Sequence, residues 1–456
     1  MQTEFSTPPV RTVRLAEILG ALSHALDITE GQPEGHCIRC CWIGMEIGKR
    51  LGLTSAEAYD LYYTILLKDL GCSSNAARIC ELYLADDISF KHDFKRIDGS
   101  LPQALHFVLS HTGLKAGLAE RFRAIINLFQ NGGEIATELI ETRCQRGADI
   151  AQRMRFNSHV ADAIRNLDEH WNGGGKPARI AGNAIPLFSR IALLAQVADV
   201  FQIAAGSEAA RAEIKNRAGT WFDPAVAEVF LEISANPQFW LDLNSPSLQT
   251  AIYDMEPGHR ATEVDEDYLD DIAAGFALVV DSKSPYTSGH SDRVTLYTDL
   301  IAAELGFSEP HRRWLKRAAL LHDIGKLGVS NSILDKPAKL DDAEWAVMKQ
   351  HAAFTETILS RISAFAELAP IAGAHHERLD GKGYPKGLAG SQIAPESRIL
   401  MVADIFDALT ASRPYRAAMP VSKALAIMAE DAGKGIDPLM FAALQRGLSH
   451  ADTAAA

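Results

Sequence analysis

Gly289-His290-Ser291-Asp292-Arg293, followed by His322-Asp323-Ile324-Gly325-Lys326, is the stretch that decides how this chain is read. His322 stands 32 positions after His290. In the first half, Gly35-His36-Cys37-Ile38-Arg39 and Lys68-Asp69-Leu70-Gly71 repeat that arrangement, with Lys68 again 32 positions after His36. The echo continues in the same order. Asn172-Gly173-Gly174-Gly175-Lys176-Pro177 mirrors Asp380-Gly381-Lys382-Gly383-Tyr384-Pro385, Val197-Ala198-Asp199 mirrors Val402-Ala403-Asp404, and Phe222-Asp223-Pro224 mirrors Ile436-Asp437-Pro438. Ordered self-similarity of this kind marks a duplicated unit. Apolar residues recur three and four apart along most segments, and strand-like alternation is scarce. The expectation is therefore all-α: two tandem helical bundles, with a worn copy at 1–234, a turn-rich connector at 235–262 and an intact copy at 263–456.

Composition narrows the function. Of 456 residues, 47% are hydrophobic and 23% charged, ordinary values for chains that build a core in each half. A net charge of −13 argues against a nucleic-acid polymer as partner, which calls for a basic face. Met1 to Val10 holds no apolar signal core, and no apolar run approaches a membrane span, so a cytoplasmic protein without a membrane is expected. A homodimer is an option the sequence leaves open. All six cysteines (Cys37, Cys40, Cys41, Cys72, Cys80, Cys144) lie in the first third and are read as buried reduced thiols.

The chemistry concentrates in the second half. His290, His322, Asp323, His351, His375, His376 and Asp404 are candidate metal ligands. Imidazole nitrogens mixed with carboxylate oxygens form the ligand set of a hydrolytic site for iron, manganese or a similar ion, not of a structural zinc knot. So many ligands suit two divalent ions, with Asp323 bridging through its two oxygens, and such a pair supplies an activated hydroxide for attack on phosphorus. Lys326, near His322, could neutralise a phosphate oxygen, and Arg413 and Arg416 offer forked donors for a second phosphate or a base edge. The first copy has lost much of this set. His290, Asp323 and Asp404 keep counterparts in His36, Asp69 and Asp199, but His322 becomes Lys68, His351 falls on Arg143, and His375 and His376 fall on Leu167 and Asp168. Cations at two positions oppose a metal, so no first-half metal centre is expected.

His322-Asp323, together with Gly383-Tyr384-Pro385, resembles the HD-GYP family of metal-dependent phosphohydrolases over about residues 265–450. The resemblance implies an all-α core, two or three ions, and hydrolysis of a cyclic dinucleotide, mainly cyclic di-GMP to pGpG and GMP. Carried over, it makes His322, Asp323, His351, His375, His376 and Asp404 the metal ligands. His322, Asp323 and Lys326 become the catalytic group, and Lys326, Tyr384, Arg413 and Arg416 become substrate contacts, with His290 either a substrate contact or a residue behind the ligands, and Asp407 near the metals. Members with a third ion carry a Glu four residues before the position of His290, where this chain has Tyr286, so two ions are expected. A worn copy in front of an intact one also resembles a subgroup that cleaves 3′,3′-cyclic GMP-AMP, which stands as the alternative substrate. A non-catalytic nucleotide sensor and a hydrolase of linear nucleotides are the remaining readings.

Overall fold

The computed structural model describes residues 14–94, 101–114, 116–257, 264–412 and 416–455. The described residues are overwhelmingly helical, with no strand among them and only isolated bridge pairs such as Asp380 with Ala389. They fall into two compact units, Arg14–Val264 and Asp265–Ala456.

In the second unit two long helices begin where side chains satisfy the first free amides. Asp265 caps Glu266–Asp281, and Asp341 caps Asp342–Ser360 in a reciprocal box with Glu344. Phe276, Val280, Leu315, Ile324, Phe365 and Phe406 are buried between these elements. The tightest point is where the turn after His322 meets the helix Asp342–Ser360. A Cβ on Gly325 would run into the carbonyl oxygen of His351. Thr355 clamps the same contact, accepting from the Gly325 amide at 3.0 Å and donating to the His322 carbonyl at 2.8 Å. Further on, the buried Glu377 carboxylate accepts the amides of Lys386 (2.6 Å) and Leu388 (2.8 Å), which fixes the loop carrying Gly383-Tyr384-Pro385.

The first unit repeats these devices. Gly71 lies against the carbonyl of Arg143 as Gly325 does against His351, and Glu169 accepts the amides of Ala178 (2.6 Å) and Arg179 (3.0 Å). Its core helix Leu187–Ala205 is long and apolar enough to cross a membrane, and is mostly buried.

Segment 235–262, read from sequence as a connector, is built into this first unit as far as it is described. Asn236 caps the helix Pro237–Leu243, and Leu248–Asp254 follows. Phe239 packs on Trp42 at 4.6 Å between ring centroids, and the buried Tyr62 hydroxyl donates to the Ile252 carbonyl at 3.0 Å. Asn236 and Pro237 mark a helix start rather than a free linker.

Overpacking at the two glycines separates the units. Gly325→Ala should cost about 1–3 kcal/mol and lower bound metal together with Tm. Gly71→Ala should lower Tm by a similar amount with metal content unchanged. Calorimetry and elemental analysis of the two variants check this.

Candidate metal centre

Four segments of the second unit converge on one buried point. His290 opens the helix His290–Glu304, His322 ends Glu309–Leu321 with Asp323 beside it, His351 lies in Asp342–Ser360, and Asp404 in Pro395–Thr410. His375 and His376 follow the short helix Ala369–Gly373.

The imidazoles share one orientation. The Nδ1 atoms of His322, His351 and His375 lie 2.7, 2.7 and 2.6 Å from the carbonyl oxygens of Ala319, Met348 and Ala372. The Nδ1 of His290 lies 2.7 Å from the buried Asp407 carboxylate. With Nδ1–H donated outward, each Nε2 faces the centre, the arrangement found around metal-bound histidines.

Asp323 sits between two such groups. Its Oδ2 is 3.2 Å from His290 Nε2 and 3.3 Å from His322 Nε2, whereas its Oδ1 is 3.5 Å from His351 Nε2 and 3.7 Å from His375 Nε2. His290, His322 and Asp404 form one cluster, and His351, His375 and His376 another. The Nε2 atoms of His290 and His322 and the Oδ1 of Asp323 are buried without a hydrogen-bond partner. Buried polar atoms left unsatisfied need a reason, and a pair of cations fits this donor set.

Protonation favours the same use. Burial pushes His351 down to about 4 and His375 to about 3, so both are neutral at pH 7 and able to serve as ligands. Burial would raise Asp323 and Asp404, but His322 and Lys326 for the former, and His290 and His322 for the latter, hold both below the usual carboxylate range. Burial alone would lower His290, yet Asp323, Asp407 and Asp404 outweigh it and raise the imidazole to about 9.

Lys326 is ion-paired with Asp323 and also lines a cleft of about 620 Å³ that reaches His351 and His376. Tyr384, Trp345, Tyr286 and Lys339 line it too, with the Tyr384 ring 4.7 Å from His376. Two sequence expectations change here. His290, read as a substrate contact, is buried with its Nε2 in the ligand cluster and does not line the cleft. Arg416 spends its guanidinium on the carbonyls of Ala408 and Leu409 at the end of Pro395–Thr410, where a cation also meets the negative end of the helix dipole. Arg413 lies outside the described residues.

The first unit corrects the pairing of the copies. Asp199 accepts from His36 Nδ1 (2.7 Å) and Arg39 Nε (2.6 Å), as Asp407 does from His290 (2.7 Å) and Arg293 (2.6 Å). Asp199 is thus the counterpart of Asp407, and Asp404 corresponds to Gln196, three residues earlier. The Val-Ala-Asp match was one helical turn out of register. Lys68 occupies the place of His322, its ammonium paired with Asp69 and 3.2 Å from His36 Nε2. Arg143 pairs with Asp168 at the places of His351 and His376. His36, Cys40 and Asp199 are close enough to hold an ion, but burial raises the Cys40 thiol and Arg39 and His36 already engage Asp199.

The HD-domain profile matches residues 103–226 and 276–440, one stretch in each unit. The chain belongs to the HD-domain family. It is 54% identical to "3′3′-cGAMP-specific phosphodiesterase 3" of Vibrio cholerae over 96% of this chain and 95% of that one. A crystal structure of a cyclic GMP-AMP phosphodiesterase of V. cholerae matches with a TM-score of 0.65 and 50% identity, covering 96% and 98% of the two chains. The "Cyclic di-GMP phosphodiesterase response regulator RpfG" of Xanthomonas campestris is 42% identical over 38% of this chain and 46% of its own length. HD-domain phosphodiesterases are metal-dependent, and the clusters around Asp323 are the candidate ligands here.

Sequence reasoning placed Asp407 near the metals but did not give it the role of orienting His290, which its hydrogen bond shows. It also missed Trp345 and Lys339, which carry no motif.

A metal at this HD-domain centre must compete with a proton on His290. Below about pH 9 the free protein holds that proton. Metal affinity should therefore rise with pH up to about 9, with about one proton released per chain near pH 7. Calorimetric titration with manganese in buffers of different ionisation enthalpy checks this, and His290→Asn should abolish the release. Lys68→Ala should leave bound metal unchanged by elemental analysis.

Proposed function

We propose that the second unit hydrolyses a phosphodiester bond of 3′,3′-cyclic GMP-AMP, using two divalent ions, iron or manganese. The observation that carries this is Asp323, which turns one carboxylate oxygen to each of two ligand clusters. The likeness to a 3′3′-cGAMP-specific enzyme along nearly the whole chain supports this substrate. Cyclic di-GMP is the second reading, favoured by relatives such as the Xanthomonas protein, whose match covers only 38% of this chain.

His290, His322, Asp323 and Asp404 would hold one ion, and His351, His375, His376 and Asp323 the other. Such a pair supplies water activation and offsets the charge that builds on phosphorus during displacement. The protein's own part is positioning. Lys326 stands between Asp323 and the cleft and can meet a phosphate oxygen there. Lys339, exposed and without an ion pair among the described residues, suits the second phosphate, since Lys336 is held by Glu344 at 2.7 Å. Trp345 and Tyr384, with centroids 6.0 Å apart, offer ring faces to a base. A cytoplasmic location is part of this reading.

The test is product analysis with protein loaded anaerobically with iron or manganese and given cyclic di-GMP, 3′,3′-cyclic GMP-AMP and cyclic di-AMP separately. Opening of 3′,3′-cyclic GMP-AMP ahead of the other two is expected. His322→Ala with Asp323→Ala should cut the rate at least about a thousandfold while the helical CD signal stays. Preference for cyclic di-GMP would move the reading to the second substrate, and no cleavage with two ions bound would reject both. Trp345→Ala should raise KM about tenfold, with a smaller change in kcat.

A further inference from the structure

The two copies differ most between the turn glycine and the helix that follows it. Gly71 and Arg143, which touch in the first unit, are 72 positions apart, whereas Gly325 and His351 are 26 apart. The extra chain includes the helix Leu101–His111 and the leading part of Leu118–Arg153. Leu128 and Ile135 on that long helix pack inward against Leu82. A neighbouring face is left partly uncovered: Leu118, Phe122, Ile126 and Phe129 are 87%, 65%, 38% and 55% exposed. Leu105 and Leu109, one turn apart on the preceding helix, are 42% and 44% exposed. Arg121 ties the two helices by donating to the Leu109 carbonyl at 2.9 Å. Together these side chains expose an area on the order of the ~800 Å² that each partner gives to a standard interface, and above the usual run of patches on a monomer.

Spacing along the long helix indicates what covers this face. Leu118, Phe122, Ile126 and Phe129 recur at four and three residues, a seam for another helix. Gly132 and Gly133 continue the seam, and a Cβ on either would meet nothing within 4 Å, so another backbone can approach closely there. Arg123 and Glu134 flank the seam on the same side, both exposed, and neither is ion-paired among the described residues. In an antiparallel pair of identical helices, residues of the same flank meet across the seam. A two-fold axis near Phe129 sets Arg123 of each copy against Glu134 of the other, and sets Ile126 beside the glycines. The face is complementary to itself.

We infer that the inserted helix Leu118–Arg153 pairs antiparallel with the same helix of a second copy, making the chain a homodimer through its first unit. The inference stands apart from the proposed substrate, since it uses no residue of the metal centre.

Sedimentation of the full chain at micromolar concentration tests it. The wild type should run as a dimer, and Phe122→Glu with Phe129→Glu as a monomer with an unchanged CD spectrum. Arg123→Glu should raise the dimer dissociation constant at least about tenfold, and adding Glu134→Arg should restore it. A wild-type monomer, or a dimer indifferent to the Phe122 and Phe129 changes, would overturn the inference. Failure of the charge swap to restore pairing would overturn the antiparallel register. Because all of these side chains are exposed, a loss of fold is not the expected outcome of any variant.

Discussion

Everything in the second unit follows from one buried carboxylate. Asp323 is 1% exposed, and burying a charged group in a helical core is costly unless opposite charge is brought to it. Lys326 meets one oxygen, and imidazoles surround both. The packing serves that arrangement. Gly325 and Thr355 hold the turn of Asp323 against the helix of His351, and backbone carbonyls or Asp407 take the outward N–H of each of four histidines. A shift of any of these helices would pull the two ligand clusters off the same carboxylate.

The first unit meets the same electrostatic demand from within the chain. Asp69 is as buried as Asp323, and Lys68 lies against it where the second unit has His322. Arg143, paired with Asp168, brings a second positive charge where the second unit has His351. Burial opposes the charge on Lys68, but Asp69 holds the amine well above its usual range. Lysine and arginine in place of imidazoles bring opposite charge to the carboxylates of Asp69 and Asp168 and take the positions of two candidate ligands. The insertion that follows Gly71 then gives this unit a surface that the second unit lacks.

Much of this was legible in the sequence because ligands and tight turns tolerate few alternatives. The duplication, the helical class and the six candidate ligands gathered with Asp323 could be picked out from residue type and spacing, since few residue types suit a metal and glycine contacts fix the turn. Register within a helix was harder. Val-Ala-Asp recurs by chance one turn apart, and only the hydrogen bonds of Asp199 and Asp407 show which aspartates correspond. His290 was assigned to substrate because sequence does not show which way a ring points. Arg416 looked like an anion binder, whereas a guanidinium beside the end of a helix finds carbonyls closer at hand. The connector at 235–262 misled because Asn-Pro opens a helix as readily as it makes a linker.

The central claim is that two ions share Asp323 and that the first unit holds none. Anomalous diffraction from crystals of the manganese-loaded protein tests it most directly. The account predicts two peaks in the second unit, one between Asp323 and His290, His322 and Asp404, the other between Asp323 and His351, His375 and His376. A single peak away from Asp323, or a peak beside His36 and Asp69, would contradict it.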